Sequence, residues 1–157
     1  MVIENTITKD DLIQSMRKDT KESFFEFVKC FWSTIIAEEP VWNWHIEVIC
    51  EELQTVAQWI FDGVDKEYDL VINVPPGSTK STVCSIMFPA WLWAVRPDKS
   101  MICGSYSYPL SLDLALRCRD IIQSDLYQEL YNVPLRTDRH AVGSFKNIHK
   151  GTRFSTS

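Results

Sequence analysis

The sequence has 157 residues, of which 45% are hydrophobic and 24% are charged, a composition that suits one globular unit with a buried core. Its formal net charge of -5 disfavours a protein that coats nucleic acid through bulk electrostatics. The five cysteines are widely spaced and include no Cys-x-x-Cys pair, so we predict reduced thiols and no zinc site.

The amino-terminal sequence MVIENTITKDD is polar and acidic, whereas a signal peptide begins with basic residues and continues with an apolar run. Elsewhere in the sequence, no apolar run approaches the length needed to span a membrane. We therefore expect a soluble protein of the cytoplasm that does not act at a membrane.

Three amphipathic helices are predicted in the first 63 residues. A helix-start pattern begins at Thr8 and apolar residues then recur at helical spacing, so two helices fit residues 9–36. Pro40 interrupts this pattern. A third helix follows, because apolar residues recur every three or four positions from Ile46 to Ile60, and Gly63 is predicted to end it.

The middle of the chain alternates between strand and helix patterns. Residues 69–74 (DLVINV) form a short apolar run typical of a buried parallel strand, and residues 99–105 are a second strand candidate. Residues 81–95 predict a buried helix that Pro89 bends, and residues 110–124 predict another helix. This order predicts an α/β fold, in which crossover helices connect the strands of a parallel sheet.

The last part of the sequence, residues 132–157, is polar and only weakly periodic. Short strands are the only regular elements predicted there, at residues 145–148 and 153–156. No internal repeat or linker divides the chain.

Residues 74–82 (VPPGSTKST) lie between the first predicted strand and the buried helix. A phosphate-binding loop needs backbone N–H groups at a helix N-terminus, a lysine for the outer phosphates and a hydroxyl for magnesium. Lys80 and Ser81 provide the last two parts. The pattern GxxxxGK[ST] is not met, since Val74 and Thr79 stand where the two glycines would be.

Two interpretations of this loop are open. A Pro-Pro-Gly turn followed by a helix with a Ser/Thr cap accounts for the same residues without any ligand. Phosphate binding is favoured by Lys80, which would otherwise be a buried and unpaired charge between an apolar strand and an apolar helix. A polyphosphate would be its natural partner.

Ordered motifs over about residues 40–157 resemble the large terminase subunit, the DNA-packaging ATPase of tailed phages and prophages. PPGSTKS is similar to the Walker A loop of one terminase group, which tolerates threonine before the lysine. Four further segments resemble family motifs upstream and downstream of this loop. They are Trp44-His45, PAWLWAVRP with GSYS (residues 89–97 and 104–107), RCRDIIQSDLYQELY (residues 117–131) and FKNIHKGTRFSTS (residues 145–157).

The resemblance implies a P-loop NTPase core of three layers with a parallel sheet, preceded by N-terminal helices. Residues 1–40 would form the helical segment, and residues 41–157 would form part of the ATPase domain. In the family, the Walker B acidic residues and a nuclease domain follow the segment that matches residues 151–157. The resemblance therefore implies an ATPase core that is incomplete at its C-terminus.

The function implied by the resemblance is that of a motor that uses ATP and Mg²⁺ to package DNA into a prohead. Its partners would be double-stranded phage DNA, the portal protein, the small terminase subunit and further copies in a homo-oligomeric ring, in the host cytoplasm at the prohead. Without Walker B residues, the isolated chain would hydrolyse ATP poorly. Two alternatives are a module that binds nucleotide without turnover and a fragment of another P-loop ATPase, such as a helicase-like protein.

The resemblance also implies roles for individual residues. Lys80 would contact the β- and γ-phosphates and Ser81 would ligate magnesium. Arg153 would be an arginine finger that reaches the ATP of a neighbouring subunit, and a surface arginine on a strand edge is an equal alternative. His45 would be a weak nucleotide contact, although a packed capping residue is favoured there. The nucleotide-binding residues are Pro76, Gly77, Ser78, Thr79, Lys80, Ser81 and Thr82, the last of which also suits an ordinary first-turn residue.

Overall fold

The computed structural model describes residues 8–137 and 143–157, so the prediction about the first residues, 1–7, lies outside the described part of the chain. The described residues form helices on the N-terminal side and a small sheet on the C-terminal side. The helices are α1 Lys9–Glu22, α2 Phe24–Ile35, α3 Trp44–Asp62, α4 Phe88–Val95, α5 Tyr108–Gln123 and α6 Asp125–Tyr131, and the strands are β1 Met101–Gly104, β2 Ser144–Lys146 and β3 Thr152–Thr156.

The three predicted N-terminal helices are confirmed, and local capping explains their ends. The Thr8 hydroxyl accepts a hydrogen bond from the Asp11 N–H at 3.2 Å, and the Asp11 carboxylate accepts one in return from the Thr8 N–H at 2.9 Å. Ser23 caps the start of α2. Gly63 ends α3 in the left-handed conformation, with φ of 68°, which glycine adopts without strain.

Residues 80–95 form one continuous helical run, here called the buried helix. Its segment Thr82–Met87 is a π-helix, and α4 follows directly. Six of the eight α4 residues are buried. Both indole N–H groups have acceptors, since Trp91 donates to the Thr20 carbonyl at 2.9 Å and Trp93 to the Lys99 carbonyl at 2.8 Å. Within residues 8–137 and 143–157, no helix is both long and apolar enough to cross a membrane.

Aromatic side chains join the N-terminal helices to α6, a helix that was not predicted from the sequence. Ser124 separates α5 from α6 and caps α6 by accepting a hydrogen bond from the Tyr127 N–H. The Tyr127 ring packs on Phe31, with centroids 5.7 Å apart, and its hydroxyl donates to the Ala90 carbonyl of the buried helix at 2.8 Å. Residues from α2, α6 and the buried helix therefore share one core.

The sheet has the order β1-β3-β2, so β3 is its central strand. β1 pairs with β3 in parallel, with Met101 opposite Arg153, and β2 pairs with β3 in antiparallel fashion, with Phe145 opposite Arg153. These strands lie within or next to the segments at 99–105, 145–148 and 153–156 that the sequence predicted. The prediction of local strand positions was therefore correct for this part of the chain.

The predicted fold class was wrong. A P-loop core of three layers needs residues 69–74 as a strand of a parallel sheet, but these residues form no strand, and the three-stranded sheet of the described residues is mixed. The side chains of this segment do alternate between core and solvent, because Leu70, Ile72 and Val74 pack against the core while Val71 is 85% exposed. It has the side-chain pattern of a strand and lacks a hydrogen-bonding neighbour, which a sequence pattern does not specify.

Asn147 and Gly151 hold the turn between β2 and β3 against the end of the buried helix. The Asn147 side-chain oxygen accepts from the Gly151 N–H at 3.0 Å, and its amide nitrogen donates to the Pro97 carbonyl at 2.8 Å. A Cβ atom on Gly151 would lie 2.2 Å from that carbonyl oxygen and 2.8 Å from Trp93 Nε1. Only glycine permits this close approach of the turn.

We predict that Gly151→Ala lowers the free energy of unfolding by about 3 kcal/mol, because the turn must move away from backbone atoms that cannot give way. The matched control is Gly104→Ala, since a Cβ there would meet only the Thr156 methyl group at 3.7 Å. The control is expected to change the stability by less than about 1 kcal/mol. Urea unfolding followed by tryptophan fluorescence measures both, and equal losses would contradict the close packing at Gly151.

Candidate phosphate-binding loop

Residues 74–82 surround a pocket of about 320 Å³ at the N-terminal end of the buried helix. This volume is at the lower end of the range of small-molecule sites, which is roughly 300–1,000 Å³. The turn is closed by the Ser78 hydroxyl, which donates to the Pro75 carbonyl at 2.6 Å. The residues predicted for nucleotide binding between Pro76 and Thr82 therefore lie together around one concave site.

Two residues of the loop have left-handed backbone conformations. Gly77 has φ of 81°, and Thr79 has φ of 58°. This conformation costs a residue with a side chain roughly 1–2 kcal/mol, and a β-branched residue adopts it rarely. Thr79 stands at the position where GxxxxGK[ST] has its second glycine, so the structure gives a physical reason for glycine at that position. Thr79 adopts the same backbone conformation under strain.

The first N–H groups of the buried helix indicate a site that could bind an anion. The Val83 N–H donates to the Thr79 carbonyl at 3.0 Å, and it is the first backbone donor of the helix with a partner. In the described part of the chain, the N–H groups of Lys80, Ser81 and Thr82 have no acceptor. Unpaired donors at the positive end of a helix dipole favour a negatively charged ligand.

Lys80 is exposed at this helix start, so the sequence argument that it must be buried was wrong. That argument assumed a paired strand at residues 69–74, which would have covered the side chain. Among the described residues, the Lys80 ammonium makes no hydrogen bond and no ion pair. Burial raises the pKa of the Cys84 thiol to about 11, and the positive charge of Lys80 opposes this shift. Lys80 is exposed and lines the pocket, so its ammonium is accessible to a ligand.

The residue types in the loop fit a polyphosphate and offer one hydroxyl for magnesium. Ser81 is exposed in the first turn of the helix, as a magnesium-binding hydroxyl would need to be. Residues 74–82 include no carboxylate, so the lining of this pocket has no acidic magnesium ligand and no general base. Of the residues described, none form a group of three or more His, Cys, Asp or Glu side chains suited to a metal.

His45 is not part of the lining of the loop pocket. It lies half-buried in the first turn of α3, with its ring 6.3 Å from that of Trp44 in an edge-to-face arrangement. Its Nε2 atom is buried and has no hydrogen-bond partner among the described residues. The side chain is packed at the helix start, as one alternative from the sequence had it, but it makes no capping hydrogen bond among the described residues.

Arg153 lies in the core, where neither interpretation from the sequence placed it. Its side chain is 1% exposed on the central strand β3, so it is no surface arginine and does not reach outward as an arginine finger would. The guanidinium lies 5.8 Å from the Phe145 ring centroid. Burial raises the pKa of the Cys118 thiol to about 12, and the charge of Arg153 opposes this shift.

The chain matches no family model, no curated protein and no solved structure. A function must therefore be argued from the residues of the loop and from their geometry.

We predict that Thr79→Gly raises the free energy of unfolding by roughly 0.5–1 kcal/mol. The substitution removes the left-handed strain of about 1–2 kcal/mol and adds backbone entropy of about 0.5–1 kcal/mol to the unfolded chain. Ser81→Gly is the matched control, because Ser81 has a right-handed helical backbone with φ of -63°. The control is expected to lose roughly 0.5 kcal/mol. Urea unfolding measures the change in stability of both variants. A loss of stability in Thr79→Gly as large as that of the control would contradict the backbone strain at Thr79.

Proposed function

We propose that this chain binds the polyphosphate of a nucleoside triphosphate through the loop of residues 74–82. One observation carries the proposal. Among the described residues, the N–H groups of Lys80, Ser81 and Thr82 have no acceptor, and these three residues, with the exposed and unpaired Lys80 side chain, line a pocket at a helix N-terminus. Each of these groups is a donor or a positive charge, and a phosphate chain is an acceptor that can pair with several of them at once.

We infer further that the nucleotide is ATP with Mg²⁺ and that the chain is part of a large terminase subunit. Support comes from the ordered motifs around the loop, above all PPGSTKS and the PAWLWAVRP segment of the buried helix. ATP supplies the phosphoanhydride bond whose hydrolysis drives DNA movement. In this chain, Lys80 would hold the outer phosphates, and Ser81 would provide a hydroxyl to the metal.

The terminase assignment brings partners and a location with it. The partners would be double-stranded phage DNA, the portal protein, the small terminase subunit and other copies in a ring. The place of action would be the prohead in the host cytoplasm. The net charge of -5 provides no bulk attraction to DNA, so any DNA contact would have to come from a limited surface in the assembly.

One observation favours the second candidate, a module that binds nucleotide without turnover. The loop pocket is lined by residues 74–82 alone, and none of them is a carboxylate that could orient water or hold a second magnesium position. Binding and hydrolysis are therefore separate questions for these 157 residues.

We predict that Lys80→Ala weakens binding of a non-hydrolysable ATP analogue with magnesium by roughly 30-fold or more. Removing one partner of a charged hydrogen-bonded pair in a formed site costs about 2–5 kcal/mol. Lys150→Ala is the matched control, since Lys150 is exposed and lies outside the pocket lining. Its effect should stay below about 5-fold.

Calorimetric titration of the analogue into the wild type and both variants measures these affinities. Equal binding by Lys80→Ala and the wild type would mean that the loop is only a turn, and the ATPase assignment would fall with it.

We also predict that purified residues 1–157 hydrolyse ATP little or not at all, because the pocket lining contains no carboxylate. Phosphate release with and without magnesium is the measurement. Lys80→Ala serves as the background control. Robust magnesium-dependent hydrolysis that this substitution abolishes would refute the prediction and place a catalytic acid elsewhere in the chain.

A further inference from the structure

One face of the three-stranded sheet is exposed to solvent in the described part of the chain. Residues that pair across neighbouring strands lie on the same face, and successive residues of a strand lie on opposite faces. On the covered face, Phe145 packs on Trp93 and Arg153 is buried. On the other face, Ile102 of β1 lies opposite Phe154 of β3, and the two residues are 76% and 49% exposed. Two large apolar side chains therefore meet solvent next to each other on this face.

The exposed positions of β1 continue beyond the end of the strand. The Ser105 N–H donates to the Thr156 carbonyl at 3.1 Å, so the ladder between β1 and β3 extends one residue further. Exposed and half-buried residues alternate along this stretch, and the Tyr106 side chain is 93% exposed. Gly104, which has no side chain, lies between Tyr106 and Ile102. This strip of surface therefore has an aromatic ring at Phe154 and another about 13 Å along the strand direction.

The remaining side chains of the exposed face are hydroxyls and one lysine. The antiparallel register places Ser144 opposite Phe154 and Lys146 opposite Thr152. Thr156 follows Phe154 by two residues and so lies on the same face. Hydroxyls can both donate and accept hydrogen bonds, and the lysine ammonium donates three. The exposed face is called here the open face, with the members Ile102, Tyr106, Ser144, Lys146, Thr152 and Phe154.

The sheet is locally basic in a protein whose formal net charge is -5. Residues 99–107 and 143–157, which include all three strands, contain four Lys or Arg residues and no Asp or Glu. Lys146 forms no ion pair with any other described residue. Asp98, which directly precedes the first of these ranges, accepts a hydrogen bond from the Arg96 guanidinium at 3.1 Å. The strands themselves therefore present positive charge without carboxylates, which favours a negatively charged partner.

We propose that the open face binds single-stranded nucleic acid. Aromatic side chains on an exposed sheet stack on unpaired bases, whose flat faces are accessible in a single strand and covered by their neighbours in a duplex. Lysine and hydroxyl groups bind the phosphate oxygens between those bases. A second copy of this chain fits the face less well, because two basic sheets would bring like charges together.

This inference goes beyond the proposed function, because it concerns a different ligand at a different place. The nucleotide loop is lined by residues 74–82, and the open face contributes none of them. Each site can therefore be tested without the other.

Fluorescence anisotropy of labelled oligothymidine and oligouridine of about 10 nucleotides, titrated with the full chain at low salt, tests the proposal. Phe154→Ala and Tyr106→Ala should each weaken binding by at least about 5-fold, because each removes a ring on which a base stacks. Phe154→Tyr should stay within about 2-fold of the wild type, since a tyrosine ring also stacks. Lys146→Gln should weaken binding and reduce the slope of log K against log salt by about 0.7.

The same oligothymidine paired with its complement should bind at least about 5-fold more weakly than the single strand. Trp44→Ala is the matched aromatic control, because Trp44 is 75% exposed on α3, away from the sheet. Lys18→Gln is the matched charge control, since Lys18 is exposed on α1 and forms no ion pair with any described residue. Both controls should bind the oligonucleotides within about 2-fold of the wild type.

Three results would overturn the proposal. They are no binding of either oligonucleotide by the wild type, duplex bound as tightly as single strand, and unchanged affinity in both alanine variants. If sedimentation equilibrium shows a dimer that Phe154→Ala dissociates, and no oligonucleotide binds, the open face is an interface between copies instead. Should Phe154→Ala fail to fold, Tyr106→Ala still decides, because its side chain is 93% exposed.

The titration with the ATP analogue separates this inference from the proposed function. If the wild type binds oligonucleotides and not the analogue, the proposed function fails and the open face stands. If it binds the analogue and not the oligonucleotides, the open face fails and the proposed function stands.

Discussion

The structure depends on the burial of one apolar helix on almost all of its sides. Residues 80–95 contain two tryptophans, Trp91 and Trp93, that are at most 2% exposed, and each buried aromatic side chain contributes on the order of 1.5–3 kcal/mol. Such a helix cannot lie on a surface, so other elements must surround it. The N-terminal helices and α6 cover one side through Thr20 and Tyr127, while α5 covers another and Phe145 of the sheet packs on Trp93.

In this arrangement, the chain passes from the surface into the core at the N-terminal end of the buried helix. The exposed Lys80 and Ser81 lie there, next to a threonine in a strained conformation and three N–H groups that have no acceptor in the described part of the chain. Strain and unpaired polar groups are unfavourable in an ordinary turn and persist where the surrounding structure holds them. Here the rigid core behind the loop holds them, which agrees with a site formed before its ligand arrives.

The mixed sheet changes how the proposed function must be understood. A parallel sheet would have placed residues 69–74 beside β1 and covered Lys80, whereas the structure leaves that segment unpaired and the lysine exposed. Phosphate binding therefore does not require a buried lysine that needs a partner. The donors and the charge at the helix start fit a phosphate whatever sheet lies behind them.

The sequence by itself determined the features that depend on neighbours in the chain. The Thr8 cap, the glycine stop at Gly63, a disturbance of the helix at Pro89 and the helix that begins at Lys80 all follow from local chemistry.

The tertiary structure alone decided which strands pair, because a strand pattern does not name its hydrogen-bonding partner. It also decided the burial of Arg153, since that side chain contacts Ser85 in a helix 68 residues earlier in the chain. Exposure of Lys80 depended in turn on the strand pairing. Local energies fix the ends of helices and turns within a few residues, whereas the positions of charged side chains depend on contacts between distant segments.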